Sequence, residues 1–110
     1  MPASIHGRLG AVSVPATTDT SAYAVPASRK ATCTVNLCNR TASAVTVRLA
    51  HVDGAIGSVD DADYIEYGTS IPANGVLERT GITMTATHSL LVYASATGIS
   101  AVVHGIEEDA

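Results

Sequence analysis

Ala31-Thr32-Cys33-Thr34-Val35-Asn36-Leu37-Cys38-Asn39 is the stretch that decides the fold. Ala31, Cys33, Val35 and Leu37 alternate with Thr32, Thr34, Asn36 and Cys38. A period of two sends one set to a buried face and the other to a polar one, as a half-buried β-strand requires. Asn39-Arg40-Thr41 then turns the chain; it fits a glycosylation sequon but reads as a turn here. The alternation resumes with Val45, Val47 and Leu49 against Ala44, Thr46 and Arg48. On the other side, Tyr23-Ala24-Val25-Pro26 is a short strand stopped by proline, and Ala27-Ser28-Arg29-Lys30 is its turn.

Further out the punctuation stays regular. Asp53 to Asp63 is rich in glycine, aspartate and small residues and reads as a loop. Tyr64 to Tyr67 and the region around Ser70-Ile71 are short strands, followed by a turn at Pro72-Ala73-Asn74-Gly75. Val76 to Thr85 is the longest strand, and its apolar parity switches between Leu77 and Ile82, which predicts a bulge at Gly81. Leu90 to Ser95, a turn at Ala96-Thr97-Gly98, and Ile99 to Ile106 form a closing hairpin. Strands separated by turn signals at this interval are the mark of a sandwich or barrel. The expectation is an all-β, antiparallel β-sandwich of seven or eight short strands, Ig-like or jelly-roll-like. Residues 21–110 form that single domain, and residues 1–20 form an N-terminal arm or an edge strand.

Composition narrows the function. The chain has 110 residues, 46% of them hydrophobic and only 15% charged, against roughly 25% charged in an ordinary soluble domain. Ser, Thr, Ala and Gly must therefore cover the surface, which suits a modest polar coat or a surface shared with neighbouring subunits. There are four Tyr but no Phe and no Trp, so Val, Ile, Leu and Ala fill the core. Few aromatic rings lower the expectation of sugar or single-stranded nucleic-acid binding. A net charge of −4 also argues against nucleic acid, whose phosphates call for clustered Lys and Arg. No apolar run reaches the length of a membrane span, and Met1 to Arg8 carries no readable secretory signal.

Chemistry-bearing motifs are scarce. Cys33 and Cys38 lie on one strand, roughly 16 Å apart and on opposite faces, too far for a disulfide between them. Two free thiols suit a reducing cytoplasm, and a bridge between subunits is the alternative. His6, His51, His88 and His104 make no metal-ligand spacing. His51 beside Asp53 has two readings, a ligand or base-and-orienter pair and a polar strand end entering a loop; the second is preferred. His104 lies among valines and reads as a surface or interface residue. No nucleophile elbow, phosphate loop or dinucleotide fingerprint is present. Asp60-Asp61-Ala62-Asp63 with Glu66 is the one carboxylate cluster, a calcium candidate whose spacing does not match an EF-hand. Aspartates are also common in turns, where they bond nearby amides. Glu107-Glu108-Asp109 reads as a solvated acidic tail, and at least one of Glu78 and Arg79 faces solvent or an ion-pair partner. No catalytic, cofactor-binding or metal-binding residues are assigned, and no enzyme is expected.

Several phrases carry a family resemblance: Val25-Pro26-Ala27, Asn36-Leu37-Cys38-Asn39-Arg40 and Asp63-Tyr64-Ile65-Glu66-Tyr67. Ile71-Pro72-Ala73-Asn74-Gly75, Glu78-Arg79-Thr80-Gly81 and Gly105-Ile106-Glu107-Glu108 continue it. In order and spacing this string, over residues 22–108, resembles small β-sandwich virion structural proteins of tailed bacteriophages. The resemblance implies a non-enzymatic virion component assembled in the host cytoplasm, and a capsid decoration (cement) protein first of all. Its partners would be other virion proteins, the major capsid protein foremost, and copies of itself, with a trimer as the first expectation. Neck, tail or baseplate accessory proteins are the alternative. A host-surface glycan or receptor-binding module is another, with Tyr64, Tyr67 and Asp60 to Asp63 as its candidate residues.

Overall fold

The computed structural model describes residues 5–110. Eight strands run through them: β1 (Ile5–Val14), β2 (Thr20–Ala24), β3 (Arg29–Asn39), β4 (Val45–Val52), β5 (Tyr64–Ile71), β6 (Val76–Met84), β7 (Ser89–Ala94) and β8 (Ile99–Asp109). They form two four-stranded antiparallel sheets, a first in the order β1-β8-β3-β6 and a second in the order β2-β7-β4-β5. The pairings nest. β1 pairs with β8, β2 with β7, β3 with β6 and β4 with β5, each inside the one before. The chain is thus one long hairpin rolled so that successive arms land in opposite sheets, and β3·β8 with β4·β7 complete the two layers. This is jelly-roll winding, not the immunoglobulin order.

The alternation in β3 is realised residue by residue. Ala31, Cys33, Val35 and Leu37 are buried between the sheets, while Thr32 is exposed and Thr34, Asn36 and Cys38 are half-buried on the outer face. Leu49, Val47, Leu90 and Val92 of the second sheet meet them from the other side. Branched aliphatic side chains fill the gap that Phe or Trp would otherwise take. The parity switch in β6 is a bulge: Cys33 pairs with Ile82 and Val35 with Arg79, leaving Thr80 and Gly81 opposite Thr34 alone. Gly81 has φ +69°, a backbone that an L side chain rarely adopts.

The structure differs from the sequence reading in strand length and at several boundaries: β3 and β8, with 11 residues each, are longer than β6 with 9, which had read as the longest strand. The two short strands around Tyr64–Tyr67 and Ser70-Ile71 are one strand, β5, bulged at Gly68 where the register slips between Thr69 and Tyr67. Arg29 and Lys30 open β3 instead of completing a turn, because they pair across to Asp109 and Glu108. For the same reason Glu107-Glu108-Asp109 is the end of β8 and not a solvated tail; Glu107 is only 6% exposed. Within the 1–20 stretch, Ile5–Val14 is an edge strand of the first sheet, hydrogen-bonded along β8, with Val14 in the core. The first four residues of that stretch lie outside the described residues.

The two flanks of the sandwich are closed differently. A Cβ at Gly10 would collide with the Ala22 carbonyl oxygen, so glycine there lets the β1 edge lie against β2. On the opposite flank, Arg79 of β6 reaches Glu66 of β5 in an ion pair, and Thr69 donates to the same carboxylate at 2.6 Å.

Candidate functional site

At one end of the sandwich β2, β4, β6 and β8 finish and β3, β5 and β7 begin. Two polar clusters sit there. In the first, the Tyr23 hydroxyl donates to Glu107 Oε1 at 2.6 Å, and Arg29 donates through Nε to Oε2 at 2.7 Å. Arg29 also donates to Asp109 Oδ1 at 2.7 Å. Burial and then the Glu107 carboxylate push the Tyr23 phenol well above its ordinary pKa, so it stays a donor. Both Glu107 oxygens are therefore spent on protein donors, tying β2, β3 and β8 together. Removing one partner of such a buried pair leaves an uncompensated charge, at a cost of roughly 3–5 kcal/mol. The cluster locks the fold.

The second cluster answers the question raised by His51 and Asp53. The structure does not pair them directly. His51 Nε2 lies 2.8 Å from Nδ1 of His88, with the rings edge-on at 4.9 Å between centroids. His88 in turn places Nε2 at 3.1 Å from Thr85 Oγ1 and 3.2 Å from Asp53 Oδ1. His88 arrives from the β6–β7 connection, 37 residues away, which spacing along the chain could not reveal. Burial, and then the neighbouring His88, lower the His51 pKa below its ordinary value, while Asp63 and Asp53 act the other way. The hydrogen shared between the two rings holds the end of β4 to that connection.

The Asp60–Asp63 segment is a single 3-10 turn closed on itself. The Asp60 side chain accepts from the Asp61 amide at 2.9 Å, and Asp63 Oδ2 accepts from the Asp60 amide at 2.9 Å. These carboxylates cap their own turn. Among the described residues, no group of three or more His, Cys, Asp or Glu side chains is arranged to hold a metal ion. The Cys33 thiol is buried beside Met84, and burial pushes its pKa up to about 11. Cys38 is half-buried on the other face of the strand.

The outer faces of the two sheets offer the larger surfaces. On the second sheet, Ala50, Val52 and Leu91 are fully buried beneath the loop after β4, through Ile56, Val59 and Tyr64. Beside that cover, Tyr93, Arg48 and Tyr67 stand in one row across β7, β4 and β5. The Arg48 guanidinium lies 4.4 Å from the centroid of each ring, and Tyr64 meets Tyr67 edge to face. Tyr64 and Tyr67 are thus brought together as sequence suggested, but around an arginine that sequence did not single out.

On the first sheet, no other strand or 3-10 turn among the described residues packs on the outer face. Its central rows are Ser13–Ser100–Cys38–Val76 and Ala11–Val102–Asn36–Glu78. Next come Arg8–His104–Thr34 and His6–Ile106–Thr32–Thr83, with Lys30 opposite Glu108 at the end. Small and neutral side chains hold the middle, and charges lie toward the rim. A shallow depression of about 320 Å³ between Lys30, Thr32, Thr83, Ile106 and Glu108 marks that end.

Among the described residues the molecule is an antiparallel jelly roll with one bare sheet face and one capped one. Compared with known proteins, the chain matches no family model and no curated protein.

Proposed function

We propose that this chain is a non-enzymatic virion structural protein of a bacteriophage, acting as a capsid decoration protein through many copies of one protein–protein contact. The observation that carries the reading is the bare outer face of the first sheet. Four strands present there a surface of Ser, Thr, Ala, Asn, Cys and Val, with Val76 and Ile106 56% and 42% exposed. Such a face costs little to desolvate in its middle and has charges at its rim to set register. Repeated over symmetry-related positions, a weak contact of this kind becomes effective through multivalency.

The phage-like phrases fit the same reading, and they map onto strand ends, turns and bulges that shape the sandwich. Jelly rolls serve in capsid and lectin domains alike, so the winding by itself does not choose between them. The major capsid protein is the partner proposed, with the decoration protein itself a homo-oligomer, a trimer first. Quantifying its copies in purified particles, by cryo-EM or calibrated gel, tests this directly. Copies in the hundreds are expected. A handful per particle would move the protein to neck, tail or baseplate, and absence from particles would end the virion reading.

A further inference from the structure

The described arginines use their hydrogen-bond donors in different ways. Arg29 gives its own to Glu107 and Asp109, Arg79 to Glu66, and Arg40 to the Ser13 hydroxyl. Arg48 does none of this. Among the described residues, no side chain or carbonyl accepts a hydrogen bond from it. What holds it is a pair of rings: its guanidinium carbon is 4.4 Å from the Tyr67 centroid and 4.4 Å from the Tyr93 centroid. Tyr67 and Tyr93 are its direct cross-strand neighbours on opposite sides. The rings therefore flank the guanidinium from both sides, and no acceptor among the described residues takes its N–H groups.

The geometry points to Arg48, clamped between Tyr67 and Tyr93, as a receptor for a single carboxylate presented by a protein partner. A ring on either side restricts the side chain, so less of its freedom is lost when a ligand arrives. An in-plane pair of N–H donors matches the two oxygens of a carboxylate. Stacked rings also strip water from the cation, which strengthens its pull on an anion. The row stands on a sheet whose strands fix its spacing.

The surroundings select among anions. Burial, and then Asp19, hold the Tyr64 phenol above its ordinary pKa, with Asp61 acting in the same direction, so two carboxylates flank the cluster. Their field opposes a polyanion such as nucleic acid and tolerates one well-placed charge. Sugar recognition needs an open ring face for the pyranose to stack on. Here Tyr67 and Tyr93 already turn a face to the arginine, and Tyr67 is in edge contact with Tyr64 as well. An Asp or Glu side chain on a protein meets both conditions: one charge, and no need of a free ring face. This inference rests on the reading of the chain as a protein-binding module, and it adds a second contact on the opposite sheet from the bare face.

The test uses the full chain and a blocked Gly-Glu-Gly peptide, with blocked Gly-Gln-Gly and sialyllactose as the other arms. The Arg48 Nε–H resonance and tyrosine fluorescence are the readouts; fluorescence is usable because the chain has no Trp. The expected result is a saturable shift of the Arg48 resonance with the Glu peptide and none with the Gln peptide. R48K, which keeps the charge but loses the planar fork, should bind at least about tenfold more weakly with an unchanged melting curve. Equal response to both peptides, or a response to sialyllactose alone, overturns the proposal. So does a flat Arg48 resonance in the unsubstituted protein, which needs no variant to interpret. Copy number in particles is independent of all these outcomes, so the decoration reading stands or falls separately.

Discussion

The outer faces of the two sheets begin from the same strand alternation and end as opposite surfaces. On the second sheet, outward positions of β4 and β7 are apolar (Ala50, Val52, Leu91), and the loop after β4 folds over them. On the first, the outward positions of β3 and β8 are Thr34, Asn36, Cys38, Ser100 and Val102, and among the described residues nothing comparable covers them. Cover follows side-chain chemistry. Leu91 must be hidden and recruits Ile56, Val59 and Tyr64; threonine and serine can meet water or another protein equally well.

The largest expected effect tests that asymmetry. Leu91→Ala empties a fully buried position outside the main core and should cost roughly 2–5 kcal/mol in denaturant unfolding. Val102→Ala, its opposite number on the bare face, should cost about 1 kcal/mol or less. Similar losses at both positions would break the distinction between the faces.

The cover itself can be loosened more gently. Asp60→Ala removes the cap of the turn after Val59 and should cost about 0.5–2 kcal/mol. A rise in the solvent accessibility of Tyr64, read by fluorescence quenching, should accompany it. A change in stability with no change at Tyr64 would mean that the turn acts elsewhere.

A smaller effect is expected from pH. Because burial and His88 lower the His51 pKa, the unfolded chain takes up a proton near 6.5, before the folded one does. The stability His51 contributes is therefore complete above its ordinary value and is lost as pH falls through the folded one. Urea midpoints should begin to drop as pH falls below about 6.5, where carboxylates such as Glu66 are still ionised. In His51→Gln the drop should shrink; an equal drop would assign it to other groups.

The two thiols give a probe with no expected stability cost. Cys33, buried with its pKa pushed up to about 11, should resist a maleimide. Cys38, half-buried on the bare face, should label first in the native state. Equal labelling rates would mean that the core opens as often as the face is exposed.

Much of this architecture was legible in the sequence. The alternation in Ala31–Cys38 named the buried set of β3 correctly, because period-two burial is a local property of a strand. The bulge at Gly81 was legible for the same reason, as a break in parity at the one residue that tolerates it. Long-range pairing was not. Arg29 and Lys30 read as a turn, and Glu107 as a tail, until β3 and β8 were placed side by side; each charge makes sense only against the other. His88 and Arg48 escaped notice likewise, since their partners come from other strands. The jelly-roll order is a fact of pairing, and the sequence left it beside an immunoglobulin-like alternative.

The central claim is that the bare face of the first sheet is the working surface. Its most direct test is particle occupancy by Val102→Arg, which sets a charge in the middle of that face where solvent can accommodate it in the free protein. The account predicts a normal melting curve and a near-complete loss of the protein from purified particles. Full occupancy by a folded Val102→Arg protein would contradict it.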